Sequence, residues 1–203
     1  MIEKIYNYKY YLIDLDDTIF SEADYLFFAY NKIDIYLSSN FLIQKGKIYN
    51  YLKFQFRENG RHKLFNKMIK EFKLDVKVLD SILSILRGVK FDVKINMYPQ
   101  MFQMIENLIV QKKRIFIVTN GNIYQQKNKV NSIDWRGTEK NLMFIYANSV
   151  EPKPSKKLFY FLKTNFNINE PETLMIGNDY DVDRKFAENS NIDFIDVREI
   201  LLR

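Results

Sequence analysis

The sequence predicts an α/β fold, with a parallel sheet covered by helices on both faces and a long helical insertion near the start. Two observations lead to this prediction. Short, continuous apolar segments alternate with helical patterns through the second half of the chain, as in sheets buried on both faces. Between the first and second of these segments, about 80 residues show helical periodicity and no convincing strand pattern.

Five apolar segments are predicted to be strands: residues 10–15, 114–119, 142–147, 173–177 and 193–197. Helical patterns lie between the later ones, at residues 99–112, 123–133, 154–165 and 181–189. Pro154 suits the first residue of its helix, where the missing N–H has no intrahelical partner to lose. In a parallel sheet of this kind, ligands bind at the carboxyl ends of the strands.

The insertion contains four helical patterns, at residues 25–37, 41–56, 63–72 and 76–86. Asn59-Gly60 separates the second from the third, and Gly88 ends the last. We therefore expect residues 1–19 and 99–203 to form the core domain and residues 20–98 to form a helical cap domain. The two short crossings, near residues 21–24 and 95–100, are our hypothesis for a two-stranded hinge.

Composition excludes several classes of function. The chain has no cysteine and one histidine, which excludes disulfides and thiolate nucleophiles and disfavours a Ser-His triad. No apolar run approaches the roughly 20 residues that span a bilayer, so we expect a cytoplasmic protein without a membrane partner. The net charge of +6 arises entirely between residues 20 and 97, where bases are scattered at helical spacing. Such scatter favours solvated helix faces over nucleic-acid binding.

The densest polar group is Asp14-Leu15-Asp16-Asp17-Thr18, directly after the first apolar run. Carboxylates this close repel one another unless a cation or a shared proton offsets their charge. Alternate positions of an extended strand end point the same way, so Asp14 and Asp16 can face one ligand. The cluster therefore indicates a metal-assisted site.

Polar groups also follow three later strands, as Thr119-Asn120-Gly121, as Lys153 and as Gly177-Asn178-Asp179 with Asp183 beyond. An aspartate can attack phosphorus, and a neighbouring carboxylate can transfer protons. A hydroxyl and backbone N–H groups at a helix start can bind phosphoryl oxygens, while an ammonium offsets their charge. Oxygen ligands of this type suit Mg²⁺.

These four groups, in this order, resemble those of the haloacid dehalogenase-like superfamily, in the branch with an α-helical cap inserted after the first strand. Its Asp-x-Asp-x-Thr motif is similar to residues 14–18, its Ser or Thr after an apolar strand to Thr119, and its Lys to Lys153. Its acidic strand end corresponds to Gly177-Asn178-Asp179. The resemblance implies a Rossmann-like, three-layer α/β/α core and an all-α cap.

The resemblance also implies an activity: a Mg²⁺-dependent phosphatase that forms an aspartyl-phosphate from a small phosphorylated metabolite, such as a sugar phosphate or a nucleotide. Asp14 would be the nucleophile, Asp16 the general acid and base, and Thr119 and Lys153 the groups that stabilise the phosphoryl oxygens. The implied phosphate-binding residues are Asp16, Thr18, Thr119, Asn120, Gly121 and Lys153. The implied metal ligands are Asp14, the Asp16 carbonyl, and Asn178 or Asp179.

Two positions depart from the family pattern. Gly is common where Asp17 stands, although Asp is a familiar variant. The usual Gly-Asp of the last motif is Gly177-Asn178 here, and an amide oxygen can ligate Mg²⁺ only without charge. Asp183 resembles the family's second carboxylate, which more often supports the water shell of the metal.

Four alternatives remain open from the sequence. A dehalogenase needs no leaving-group acid, and the presence of Asp16 argues against it. A phosphomutase would share every motif, and a non-catalytic pseudo-phosphatase is suggested by Asn178. A phospho-accepting receiver domain would lack the helical insertion. In the cap, the turn with Arg57, Arg61 and His62 either contacts an anionic substrate or is simply exposed, and nothing indicates the oligomeric state.

Overall fold

The computed structural model describes residues 5–202. In chain order, its strands are β1 (Tyr10–Ile13), β2 (Ile95–Asn96), β3 (Arg114–Thr119), β4 (Ile133–Asp134), β5 (Leu142–Tyr146), β6 (Thr173–Gly177) and β7 (Asp193–Asp196). Its helices are α1 (Glu22–Asn40), α2 (Lys47–Asn59), α3 (Leu64–Glu71), α4 (Val78–Gly88), α5 (Pro99–Val110), α6 (Ile123–Ser132), α7 (Lys157–Phe166), α8 (Lys185–Ser190) and α9 (Arg198–Leu201).

The main sheet has five parallel strands in the order β5-β3-β1-β6-β7, which confirms the predicted fold class. The strand β1 lies at the centre, and Ile13 at its end pairs with Ile117 on one side and Ile176 on the other. This register brings the residues that follow β1, β3 and β6 to the same edge of the sheet.

Side chains of the central strands alternate between two hydrophobic clusters, one on each face of the sheet. Tyr11 and Ile13 point into the larger cluster, and Tyr10 and Leu12 into the smaller one with α7 and α8. All four are buried, as expected for strands that are covered on both faces. The continuous apolar runs in the sequence thus follow from burial on both sides.

The insertion between β1 and β2 consists of the four helices α1–α4, as the periodicity predicted. A buried carboxylate organises it: Asp34 of α1 accepts hydrogen bonds from the backbone N–H groups of Gly46 (2.8 Å) and Tyr49 (3.1 Å) at the start of α2. Leu52 of the insertion belongs to the same hydrophobic cluster as Ile13 of the sheet. The division of the chain into core and cap domains stays a prediction.

The two segments that connect the insertion to the rest of the chain lie side by side. The Tyr98 N–H donates to the Ile19 carbonyl at 2.8 Å and joins them. Next to them, β2 pairs with β4 in a separate two-stranded parallel sheet that the sequence did not predict. Each of these strands has two residues, too few for any apolar alternation to be visible. Within residues 5–202, no helix combines the length and the apolar character needed to cross a lipid bilayer.

The start of α7 differs from the prediction. The helix begins at Lys157 and not at Pro154. Residues 152–155 form a turn closed by the Ser155 N–H and the Pro152 carbonyl at 3.0 Å. The cause is tertiary: the backbone of Lys153 is bound on both sides by the Asn120 side chain, which holds this segment outside the helix. Similarly, residues 41–46 precede α2 instead of belonging to it.

Candidate active site

A cavity of about 160 Å³ lies at the edge of the sheet where the strand ends meet. Its walls come from the predicted motifs, from the segment after β6 and from the insertion. The lining residues are Asp14, Asp16, Asp17, Glu22, Arg61, Thr119, Asn120, Asn178, Asp179, Val182 and Asp183. The structure therefore brings together most of the side chains that the sequence singled out.

The Lys153 ammonium is fully buried beside this cavity, between two carboxylates. It lies 2.7 Å from Asp14 Oδ1 and 2.6 Å from Asp183 Oδ1. Its backbone is fixed as well, because Asn120 Oδ1 accepts the Lys153 N–H at 2.9 Å and Asn120 Nδ2 donates to the Lys153 carbonyl at 2.8 Å. The Asn120 side chain thus positions Lys153. The predicted contact of Asn120 with phosphate would therefore have to come from the Asn120 backbone.

Burial dominates the electrostatics of Asp14. It raises the pKa of this carboxyl to about 7, against the attraction of Lys153, and the nearby Asp183 and Asp16 carboxylates act in the same direction. The pKa of Lys153 is also raised, because its two carboxylate partners outweigh the effect of burial. Asp14 Oδ1 accepts the hydrogen bond from Lys153, whereas Oδ2 takes no part in this ion pair.

Asp16 is held by two side chains of α6 that the sequence analysis missed. Its Oδ2 accepts hydrogen bonds from Lys129 Nζ at 2.7 Å and from Gln126 Nε2 at 3.2 Å. Asn122 caps the start of α6, because its Oδ1 accepts the Gln125 N–H at 3.1 Å. A signal was present: Gln126 and Lys129 lie on the same helix stripe as the apolar Val130 and are buried with it.

Lys129 also connects the site to the insertion. Its Nζ lies 2.6 Å from Glu22 Oε1 at the first residue of α1, and the same oxygen accepts from Arg61 at 2.5 Å. Burial and the Asp16 carboxylate raise the pKa of Glu22, whereas Lys129 and Arg61 oppose this. Arg61 is more than half exposed and reaches the cavity from the turn between α2 and α3.

The other two basic residues considered from the sequence, Arg57 at the end of α2 and His62, do not line the cavity. The Arg57 guanidinium lies over the Phe27 ring, 5.6 Å from its centre, and His62 is exposed. Of the cap residues considered from the sequence, Arg61 is therefore the one that the structure places at the site.

Asp17 and Thr18 shape the loop that follows β1. Asp17 has a φ of 52°, the left-handed backbone that favours glycine and that Asp tolerates better than most residues. Its Oδ1 accepts the Glu22 N–H at 2.8 Å and so binds the start of α1. Burial raises the pKa of Asp17. Thr18 is fully buried and its hydroxyl lies 3.5 Å from Asn178 Oδ1, so it lies behind the cavity wall.

Thr119 is buried and lines the cavity, as predicted for a phosphate-binding hydroxyl. Gly121, also predicted to bind phosphate, lies elsewhere: its N–H donates to Asn148 Oδ1 at 2.7 Å, and the residue is not part of the cavity wall. The Asn148 side chain occupies the N–H that a phosphate would have needed.

The segment after β6 brings two carboxylates, Asp179 and Asp183, and the Asn178 amide to the cavity. Asp179 Oδ1 accepts the N–H groups of Asp181 (2.8 Å) and Val182 (3.0 Å), and so caps a single π-helical turn. Asp183 Oδ2 accepts the N–H groups of Asn178 and Asp179 at 3.2 Å each. Both carboxylates thus have backbone partners, whereas the Asn178 side chain has, within residues 5–202, only the long contact from Thr18.

The donor set fits a hard divalent cation such as Mg²⁺. Every candidate ligand is an oxygen, which is what Mg²⁺ prefers. Six carboxylates line the cavity, whereas only Lys129, Lys153 and Arg61 contact them as cations among the described residues. An anionic substrate would be repelled from such a site unless further positive charge arrived. Residues 5–202 contain no cluster of three His, Asp or Glu side chains arranged as a metal cage, so waters and substrate would complete the shell.

Comparison with known proteins identifies the family. The sequence model described as haloacid dehalogenase-like hydrolase matches residues 11–197. No curated protein matches the sequence. Several solved structures share the fold.

One is the magnesium-bound YfnB from Bacillus subtilis, described as a HAD-hydrolase. It has 20% identity and a TM-score of 0.64, with 93% of this chain and 86% of that chain covered. A HAD phosphatase from Thermococcus onnurineus has 22% identity and a TM-score of 0.60, with coverage of 92% and 84%. A variant of CbbY from Rhodobacter sphaeroides, in complex with xylulose-1,5-bisphosphate, has 12% identity and a TM-score of 0.62, with coverage of 93% and 85%.

Proposed function

The chain belongs to the haloacid dehalogenase-like hydrolase family, and we propose that it is a Mg²⁺-dependent phosphatase that hydrolyses a small phosphorylated metabolite through an aspartyl-phosphate. The observation that carries this proposal is the buried Lys153 ammonium between Asp14 and Asp183, beside a cavity that Thr119 also lines. These groups supply a nucleophile, a fixed positive charge and a hydroxyl donor within one small space.

In the first step, the free Asp14 oxygen attacks the phosphorus of the substrate. A bond from this oxygen to phosphorus forms while the bond from phosphorus to the leaving oxygen breaks. The Thr119 hydroxyl and the Lys153 ammonium stabilise the negative charge on the phosphoryl oxygens in the transition state. Asp183 keeps the ammonium in place and keeps it charged.

Asp16 carries the proton transfers. Its carboxylic acid donates a proton to the leaving oxygen, and the alcohol departs. The resulting carboxylate takes a proton from a water molecule, whose oxygen then attacks the phosphorus of the aspartyl-phosphate. The Asp14 carboxylate is regenerated, inorganic phosphate is released, and Asp16 is again protonated.

Asp14, the Asp16 carbonyl and Asn178 are the residues that we propose to hold Mg²⁺. The proposal favours Asn178 over Asp179, because the Asp179 carboxylate is already bound to two backbone N–H groups. Bound Mg²⁺ would supply the positive charge that lets an anionic phosphate enter an acidic cavity. The magnesium-bound YfnB of the same fold supports this choice of metal.

The proposed substrate class rests on the cavity and on the one residue of the α2–α3 turn that lines it. A volume of about 160 Å³ suits a phosphoryl group and the nearest atoms of its leaving group. A sugar phosphate or a nucleotide could present such a group. Arg61 would face the part of the substrate beyond the transferred phosphate. The phosphatase and the CbbY complex with a sugar bisphosphate support this class by analogy of fold.

The test compares wild type with Asp14→Asn on p-nitrophenyl phosphate and on a panel of phosphorylated metabolites, each with Mg²⁺ and with EDTA. We expect phosphate release that needs Mg²⁺ and is lost in Asp14→Asn. Asp181→Asn makes the same chemical change at an exposed carboxylate outside the cavity and should retain activity. Normal turnover by Asp14→Asn would refute the proposal.

Two further outcomes would redirect it. Isomerisation of a phosphorylated sugar that depends on a bisphosphate would identify a phosphomutase that shares the same residues. Failure of both Mg²⁺ binding and beryllium fluoride trapping would identify a non-catalytic binding protein.

A further inference from the structure

We propose that Lys129 and Gln126 are positioning residues for Asp16: they bind one oxygen of its carboxylate and so reserve the other oxygen for proton transfer to the leaving group. This inference rests on the proposed phosphatase function, in which Asp16 is the general acid. It concerns two side chains of α6 that lie outside all four sequence motifs.

The burial of Lys129 supports this role. Its side chain has no exposed surface, and its ammonium lies between the Asp16 and Glu22 carboxylates. A lysine in such a position has a high desolvation cost, which only close partners offset. A purely structural helix stripe would be filled at lower cost by an apolar residue of similar size. The presence of the charge at this point therefore calls for a role beyond packing.

The two Asp16 oxygens have different surroundings. Both α6 donors bind Oδ2, at 2.7 Å and 3.2 Å, and their spacing of three residues places them on one face of the helix. Asp16 Oδ1 is buried and has no partner among the described residues. A buried acceptor without a partner is costly and unusual in a folded protein. When Asp16 is protonated on this oxygen, it would donate to the leaving oxygen of a substrate bound in the cavity.

Both donor side chains are restrained by further contacts. The Gln126 Nε2 that binds Asp16 also donates to the Asn120 carbonyl at 2.8 Å. Gly121 lies against it, and a Cβ at this glycine would be 2.9 Å from Gln126 Nε2. Lys129 is restrained by Glu22 and by the Tyr25 ring, 5.4 Å from its Nζ. The pair thus forms a rigid support, and the rotation of the Asp16 carboxylate is fixed by it.

The consequence is selective. If Oδ2 is released, the Asp16 carboxylate can turn, and the proton is no longer held where the leaving oxygen departs. A substrate whose leaving group departs as a stable anion, such as p-nitrophenyl phosphate, needs little protonation. An alkyl phosphate such as glycerol 2-phosphate needs it fully, so the damage should depend on the leaving group.

The experiment compares kcat/KM on these two substrates for wild type, Lys129→Met and Gln126→Leu, all with Mg²⁺. General acid catalysis is worth about 10²–10⁴-fold, so we expect Lys129→Met to lose on the order of 10–100-fold on glycerol 2-phosphate. The loss on p-nitrophenyl phosphate should be within about 3-fold. Gln126→Leu should show the same selectivity with a smaller loss. Lys127→Met, on the exposed side of the same helix, is the matched control and should leave the ratio unchanged.

Equal losses on both substrates would overturn the inference, because a residue that only supports folding affects both. Thermal unfolding of each variant shows whether it is folded, and if Lys129→Met is not, Gln126→Leu decides the question by the same ratio. In the Asp16→Asn background, Lys129→Met should add little further loss on glycerol 2-phosphate. The Asp14→Asn variant distinguishes failure of this inference from failure of the proposed function. Phosphatase activity in Asp14→Asn would refute the proposed function. An inactive Asp14→Asn, together with an unchanged substrate ratio in Lys129→Met and Gln126→Leu, would refute only the positioning role.

Discussion

Replacing Lys153 by methionine tests the buried ion pairs on which the site depends. Methionine has a similar length and no charge, so it fills the space and removes only the ammonium. Two carboxylates, Asp14 and Asp183, then lose the cation that lies 2.7 Å and 2.6 Å from them. Asp183 is almost fully buried and Asp14 has only a small exposed surface at the cavity, so water replaces little of the lost interaction.

The structure sets the size of the effect. Breaking a buried ion pair by removing one partner costs about 3–5 kcal/mol, because the other charge remains buried without compensation. Here Asp183 keeps two backbone N–H donors, which offset part of the loss, and the desolvation cost of the ammonium disappears. We therefore expect Lys153→Met to lower the free energy of unfolding by about 3 kcal/mol at pH 7.5, toward the lower end of that range.

Urea unfolding measures this as a lower midpoint at an unchanged m-value. Lys157→Met is the matched control: this lysine is 72% exposed and lies 3.7 Å from Glu151, so its loss should stay within about 0.5 kcal/mol. Asp183→Asn should be much less damaging in the Lys153→Met background than in wild type, because it then removes an uncompensated charge. A loss below about 1 kcal/mol for Lys153→Met, or equal effects of Asp183→Asn in both backgrounds, would refute the reasoning.

Three further predictions concern the same cavity. Burial raises the pKa of Asp14 from its ordinary 3.8 to about 7, so the native state binds more protons than the unfolded chain between these values, and stability in EDTA should fall as the pH rises. The free energy of unfolding should fall by at most about 1.4 kcal/mol per pH unit. Urea unfolding of wild type and of Asp14→Asn at pH 5 and 7.5 measures it as a difference between the two proteins that shrinks with pH. A difference that stays the same at both pH values would contradict the prediction. Gly177→Ala would place a Cβ 2.3 Å from Asp183 Oδ2, and we expect a loss of about 2 kcal/mol or more in thermal unfolding, whereas an unchanged melting temperature would disprove the contact. Asn178→Asp adds a charge to a proposed ligand and should raise the affinity for Mg²⁺ on the order of tenfold by calorimetric titration; unchanged affinity would point to Asp179 instead.

The sequence was sufficient for those parts of the fold that have a local signal. Short apolar segments predicted all five strands of the main sheet, and those of the central strands are continuous because burial on both faces removes alternation. The polar groups at the strand ends could also be recognised in the sequence. A charged residue next to an apolar segment is costly to bury, so its presence there indicates a functional site. The parallel topology then brought most of them to one cavity.

What the sequence could not show depends on contacts between distant segments. The predicted start of α7 was wrong. It relied on the local preference of Pro154 for the first helical position, whereas the Asn120 side chain binds the backbone of the preceding residue. Lys129 and Glu22 are 107 residues apart, and only packing of α6 against α1 makes them partners. A lysine on a buried helix stripe was the available hint, although its partner could not be named from it.

The two central aspartates illustrate how such distant contacts assign different tasks to neighbouring, chemically identical groups. Asp14 and Asp16 are two residues apart on one strand end, yet each faces its own buried lysine. Lys153 arrives from the segment after β5 and is shared with Asp183, whereas Lys129 arrives from α6 and is shared with Glu22. Both lysine side chains are fully buried, but Lys153 contacts the proposed nucleophile, whereas Lys129 contacts the proposed general acid. In the proposed mechanism, the position of its lysine makes Asp14 the group that attacks and leaves Asp16, fixed by one oxygen, as the group that carries the proton.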